Sequence, residues 1–193
     1  MAPIATAICW GAVFVVWVAG GIYGARKAPG RRQGPGRDVY WRVGAVAAAA
    51  ILFHVARRYL DDATDHSRWV ELPGLVLLVA STAFTLWARV ALGRMWSATP
   101  NMLRAGHKLR TDGPYGITRH PIYTGLFGML VGTVLLNGIG PALVALVVGA
   151  TVVVTRIPIE ERLMSRTFPE EYARYRERVP RFVPGLNLLR RSP

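Results

Sequence analysis

The chain of 193 residues carries 24 Lys and Arg against 11 Asp and Glu, a formal net charge of +13, yet 52% of its residues are hydrophobic and only 18% are charged. A composition this apolar, with Cys9 as the one cysteine, excludes intrinsic disorder and a disulfide-stapled secreted domain. The charge would suit a nucleic-acid binder if it were spread along the chain, but Met1–Ala25 and His120–Thr155 contain no Asp, Glu, Lys or Arg.

A bilayer span takes about 20 apolar residues, and five such segments can be read in chain order. The first is Ile4–Gly24, which ends on the small-residue pair Gly20 and Gly24. It lacks a basic leader and its positive flank lies on the wrong side, so it reads as a span rather than as a convincing signal peptide. Arg26–Arg42 follows with six basic residues and one acid, and its Gly/Pro-rich part, Ala28–Arg37, reads as a flexible linker near anionic headgroups. The second segment, about Val43–Leu60, has only 14 uncharged residues, Val43–Ala56, and relies on Arg57 and Arg58 to snorkel; it contains His54. After an acid-rich connection to Glu71 comes the third, Leu72–Ala88, with Arg89 at its end. Arg89–Arg119 is again basic. The uncharged run beyond it divides at Asn137-Gly138-Ile139-Gly140-Pro141 into a fourth and a fifth segment, a helical hairpin; the fourth contains a second small-residue pair, Gly128 and Gly132.

Runs such as Ala142–Val148 do not alternate, so a β-barrel is excluded and an all-α polytopic fold is expected, with about five transmembrane helices. Of the 24 positive charges, 21 fall in the first and third connections and in the tail from Arg156. By the positive-inside rule the N-terminus is outside and the basic loops and C-terminus are cytoplasmic, in a multi-pass cell membrane. There is no internal repeat, and residues 1–193 read as a single integral-membrane domain whose N-terminal spans occupy 1–86.

Nucleotide-binding glycine loops, a zincin motif and a nucleophile elbow are all missing. His54, His66, His107 and His120 do not cluster at ligand spacing, so neither a metal nor a nucleic-acid partner is expected. The remaining polar stretches are Gly106–Tyr123 and Arg156–Pro184. The first holds a turn at Asp112-Gly113-Pro114, then Arg119-His120-Pro121-Ile122-Tyr123 opens the fourth helix with Pro121 suited to its first position. Such a helix start, beside Arg and His, suits a carboxylate or phosphate; it equally suits plain interfacial anchoring. Glu160 lies four residues after Arg156, on one helical face if the helix continues past Pro158, and spacing alone favours a simple ion pair.

The ordered combination of Gly113-Pro114-Tyr115, Arg119-His120-Pro121-Ile122-Tyr123-Thr124-Gly125, a hydrophobic hairpin, Glu160-Glu161, Phe168-Pro169-Glu170-Glu171-Tyr172 and Val179-Pro180-Arg181-Phe182-Val183-Pro184 resembles the isoprenylcysteine carboxyl methyltransferase family. More broadly it is similar to integral-membrane methyltransferases that include phospholipid N-methyltransferases. The likeness covers residues 87–184, the methyltransferase core, and implies S-adenosylmethionine bound on the cytoplasmic side under a C-terminal segment that includes a short helix. By position it implies cofactor contacts from His107, Lys108, Leu109, Arg110, Tyr115, His120, Pro121, Ile122, Tyr123 and Glu160. Arg156 would position the substrate, a lipophilic or lipidated acceptor drawn from among the membrane lipids, with a carboxylate as the leading acceptor group. A carboxylate attacks a sulfonium methyl without a general base, so in-line positioning carries the chemistry. A lipid amine, thiol or phenol is the neighbouring alternative; a membrane NADPH-dependent reductase and a non-enzymatic carrier are the rivals from other classes. The chain has fewer spans than eukaryotic members, and its Ala/Arg/Val-rich composition looks prokaryotic, which implies an inner-membrane setting.

Overall fold

The uncharged opening stretch forms one helix, α1 (Ala2–Arg26), which ends at the first charged side chain. The computed structural model describes residues 2–26, 68–93, 109–138 and 140–182. Five more helices follow: α2 (Arg68–Leu92), α3 (Pro114–Ile117), α4 (Pro121–Asn137), α5 (Gly140–Thr167) and α6 (Pro169–Arg178). Regular structure among the described residues is entirely helical.

Four of the five predicted apolar segments are helices. The remaining one, Val43–Leu60 with His54, lies outside the described residues, as do His107 and Lys108. Ala2–Gly20, Trp69–Leu92 and Leu143–Thr167 are long and apolar enough to cross a membrane, while α4 has 17 residues. The protein is a multi-pass membrane protein, and its surface agrees. Ile4, Ile8, Phe14 and Val15 of α1 and Leu72, Val76 and Val79 of α2 are all exposed. Apolar side chains massed on helix surfaces this way are costly in water and ordinary against lipid.

The predicted hairpin turn falls between Asn137 and Gly140, where Gly138 has φ +89, a conformation that favours glycine. Pro121 opens α4, as its missing N–H and preset φ favour. Pro158 lies inside α5 without ending it, so Arg156 and Glu160 share one continuous helix.

By internal contact the chain divides into two units, Met1–Val79 with Met129–Gly149, and Ala80–Gly128 with Ala150–Pro193. In the first, polar side chains of α1 and α4 satisfy one another, as they must where water is absent. The Trp10 indole donates to Thr133 Oγ1 at 3.1 Å, and Asn137 Nδ2 donates to Thr6 Oγ1 at 2.8 Å. Helices α2 and α4 approach through glycine: a methyl group on Gly132 would lie 2.7 Å from the Leu78 nitrogen, and one on Gly74 would lie 2.8 Å from the Leu136 nitrogen. Gly132 belongs to the predicted small-residue pair, which therefore marks a packing contact. Gly132→Val would overpack backbone against backbone and is expected to cost about 1–3 kcal/mol. Thermal unfolding in detergent checks this; a variant as stable as the parent would contradict the close approach.

In the second unit the same device recurs at Gly125, whose Cβ would strike Thr85 and the Ser81 carbonyl. Thr85 is fully buried and returns its hydroxyl to the Ser81 carbonyl at 2.8 Å. Every described site residue belongs to this second unit.

Candidate active site

The predicted turn at Asp112-Gly113-Pro114 is a tight entry into α3. Gly113 adopts φ +56 and ψ −130, which L side chains rarely reach, and Tyr115 N donates to the Asp112 carbonyl at 3.1 Å. This turn rolls Tyr115 inward, where it is buried, and turns its carbonyl toward α6. Tyr175 closes that contact, donating its hydroxyl to the Tyr115 carbonyl at 2.7 Å.

Helix α6 is amphipathic. Tyr172 and Tyr175 are buried with Val179 against Leu109, Met164 and Phe168, and the intervening charges face outward. Burial pushes the Tyr172 phenol up to about 12 and raises those of Tyr115 and Tyr175 further, so all three act as neutral hydrogen-bonding groups. Tyr175→Phe would strand the Tyr115 carbonyl and is expected to cost about 1–2 kcal/mol in unfolding free energy. No change in denaturation would mean that the carbonyl is satisfied otherwise.

Beyond α6 the chain returns to the start of α4. Arg119 N donates to the Pro180 carbonyl at 2.9 Å, and Thr118 Oγ1 donates to the Arg181 carbonyl at 2.7 Å. His120 N lies 3.4 Å from Thr118 Oγ1. The two backbone donors just ahead of this helix start are thus engaged within the protein.

An ion cluster fastens the same junction. Glu161, nine-tenths buried, receives Arg181 through two nitrogens, Nη2 to Oε2 at 2.6 Å and Nε to Oε1 at 3.2 Å. Arg119 Nη1 lies 3.1 Å and His120 Nε2 3.3 Å from Oε1. One carboxylate thus gathers two guanidiniums and an imidazole from two distant parts of the chain.

Its neighbour faces another way, because adjacent helical residues differ by about 100° in direction. The Tyr123 hydroxyl donates to Glu160 Oε1 at 2.6 Å, and Arg156 Nε donates to the same oxygen at 3.2 Å. Glu160 Oε2 faces His120 Nδ1 at 3.9 Å, too far for a hydrogen bond. The ring of His120 thus stands between the two carboxylates, with Tyr123 and Phe182 packed near it.

Of the predicted site residues, the structure brings Leu109, Arg110, Tyr115, His120, Pro121, Ile122, Tyr123, Arg156 and Glu160 into this unit, with Tyr123, Arg156 and His120 gathered about Glu160. Pro121 is buried and Ile122 half-buried in the first turn of α4. Leu109 packs under α6, and Arg110 pairs at 2.6 Å with Asp112 of its own loop. The roles of Glu161, Arg119, Arg181 and Thr118 were not legible. Glu161 appeared only as half of a Glu-Glu doublet, and no spacing rule links residue 119 to 181. Among the described residues no group of three or more His, Cys, Asp or Glu side chains could hold a metal ion.

Apolar helices that end in a buried Arg/His/Glu/Tyr cluster define a membrane-embedded enzyme. The profile of the phospholipid methyltransferase family matches residues 69–171. Protein-S-isoprenylcysteine O-methyltransferase B of Arabidopsis thaliana is 34% identical over 141 residues, which are 72% of this chain and 71% of that protein. The nickel-cobalt-cadmium resistance protein NccN of Alcaligenes xylosoxydans xylosoxydans is 33% identical over 66% of this chain and 59% of its own length. Among solved structures, the eukaryotic intramembrane Ras methyltransferase ICMT (isoprenylcysteine carboxyl methyltransferase) shares the fold, with a TM-score of 0.60 over 94% of this chain and 68% of that one, at 19% identity. The chain belongs to the phospholipid methyltransferase family, on its isoprenylcysteine methyltransferase side, and is an integral-membrane methyltransferase.

Proposed function

We propose that the protein transfers a methyl group from S-adenosylmethionine to a carboxylate on a lipophilic, isoprenylcysteine-like acceptor at the cytoplasmic face of the membrane. The observation that carries this reading is the Glu160 group. Its Oε1 is held by Tyr123 and Arg156, while Oε2 has no donor within hydrogen-bonding range in His120. A fixed, half-satisfied carboxylate beside an aromatic hydroxyl fits the ammonium end of a cationic amino-acid ligand.

The donor set fits in a second respect. Arg119 is nine-tenths buried, and its Nε has no hydrogen-bond partner among the described residues. A leftover buried cationic donor suits a ligand carboxylate. Tyr115 and Tyr123 would border the nucleoside, with His107 and Lys108 as further contacts. Bound there, S-adenosylmethionine supplies an electrophilic methyl on its sulfonium. The chain's own part is to bind, orient and exclude water: Glu160 and Arg119 hold the two ends of the amino-acid portion, and Arg156 holds the acceptor carboxylate at the membrane edge. No side chain needs to remove a proton, since an ionised carboxylate is already nucleophilic.

Arg156 contacts Glu160, so its two roles are separated by size of effect. The pair is part-exposed and worth under about 1 kcal/mol. Arg156→Ala should therefore weaken S-adenosylhomocysteine binding less than about fivefold, while turnover falls on the order of 100-fold if a bidentate substrate contact is lost. Equal losses in both would remove Arg156 from the acceptor side. Radiolabelled methyl transfer from S-adenosylmethionine to farnesylcysteine and to a bacterial lipid extract, with recovery of a base-labile methyl ester, tests the reaction itself. A base-stable product would redirect the reading to an amine, thiol or phenol acceptor.

A further inference from the structure

Glu161 is a carboxylate that the methyl-transfer reading leaves without a task, although it has the most charged neighbours in the described site. It donates nothing and faces away from the Glu160 group. One of its three partners, His120, nevertheless also borders that group.

His120 is the partner that reaches both carboxylates. Its Nε2 lies 3.3 Å from Glu161 Oε1, and an ionised carboxylate can only accept, so the ring proton belongs on Nε2. Arg119 and Arg181 already balance the Glu161 charge. With Nε2 as the donor, the ring offers Nδ1 as an acceptor. Nδ1 and Glu160 Oε2 are then two acceptors 3.9 Å apart. They cannot bond to each other, yet a single N–H-bearing group placed between them reaches both within ordinary hydrogen-bond length. The ring has little freedom to leave this position. His120 is buried, Phe182 and Tyr123 flank it, and Arg181 on Glu161 ties down the segment that carries Phe182.

We infer that Glu161 is a positioning residue which, through the His120 Nε2–H, turns Nδ1 toward Glu160 Oε2 and so completes a two-acceptor receptor for a protonated primary amine. The inference rests on the proposed function in that the amine is the α-ammonium of the S-adenosyl amino acid. Tyr123 and Arg156 hold the Glu160 half of the receptor, and Glu161 holds the His120 half. The second is indirect, because Glu161 meets neither ligand nor acceptor.

Two ligands and two variants test this on the full-length protein in detergent, by calorimetric binding rather than turnover. The ligands are S-adenosylhomocysteine and its analogue with hydrogen in place of the α-amino group. In the parent, loss of the amino group should weaken binding about tenfold or more, as for a charge-assisted hydrogen bond. In Glu161→Gln the ratio between the two ligands should fall about threefold below the parental value, because the amide no longer demands the proton on Nε2. His120→Gln keeps an N–H toward Glu161 but has no Nδ1, and should lower the ratio about fivefold, to the share that Glu160 supplies alone. A merely structural role would weaken both ligands alike and leave the ratio at its parental value, and that result in His120→Gln, or in a monodisperse Glu161→Gln, would overturn the inference. Should Glu161→Gln lose monodispersity, His120→Gln decides alone. Failure of the parent to bind S-adenosylhomocysteine at all would instead overturn the proposed function, and a parental ratio near one would overturn the receptor and remove Glu160 from the amine, with the methyl-transfer assay then deciding the function.

Discussion

Glu160→Gln should raise the Kd for S-adenosylhomocysteine by about 10-fold to 100-fold, the worth of one hydrogen bond to a charged group, while leaving the fold in place. The substitution is nearly isosteric, and a glutamine carbonyl can still accept the Tyr123 hydroxyl and Arg156 Nε that Oε1 accepts now. What disappears is the negative charge, together with an acceptor: the amide nitrogen replaces one carboxylate oxygen and repels an ammonium. Isothermal calorimetry on purified protein measures the change. A Glu160→Gln protein that binds like the parent would remove this residue from the cofactor site and with it the main support for the assignment.

Glu161→Ala should be the most destabilising single change in the described site, at about 3 kcal/mol or more. The reason is what it leaves behind. Arg119 is nine-tenths buried and would lose its counter-ion in a setting where an uncompensated charge costs about 3–5 kcal/mol. Arg181 is 42% exposed and finds water, which moves the expected value toward the lower end of that range. The change would also release the residue 180–182 segment from the start of α4, leaving two hydrogen bonds, from Arg119 N and Thr118 Oγ1, to hold it. Arg174→Ala is the internal control. Its pair with Glu170 spans 3.8 Å on the open face of α6, and its loss should shift unfolding by less than about 0.5 kcal/mol. Detergent-based thermal unfolding compares the two variants; equal midpoints would mean that the Glu161 cluster contributes nothing to stability.

The two glutamates show where sequence reasoning stops. Glu160 and Glu161 are adjacent, chemically identical and equally apparent as a doublet after an apolar run. One meets Tyr123 and Arg156, the other Arg119, His120 and Arg181, and the difference comes only from the angular step between consecutive helical residues and from what stands opposite each. The Arg156–Glu160 pair was legible because four-residue spacing puts both on one helical face. Glu161 with Arg181 was not, because their contact depends on α6 folding back, and α6 does so by burying Tyr172 and Tyr175. Likewise the resemblance marked Tyr123 only as a cofactor contact, whereas the structure commits its hydroxyl to Glu160.

Charge-free stretches long enough to cross a bilayer, the glycine-rich break at Asn137–Pro141, the proline that opens α4 and the basic tail are all local properties. They follow from burial of backbone polar groups in lipid and from the φ preferences of two residue types, which act on a segment wherever it sits. From these, the sequence by itself determined a helical membrane protein with its motif-bearing polar residues in two stretches. Tertiary structure alone decided that the two stretches meet, that one carboxylate holds the site together and the other faces it, and that His120 stands between them. Those contacts join residues 20 to more than 60 positions apart, and their directions are set by side-chain packing among α4, α5 and α6 rather than by any spacing along the chain.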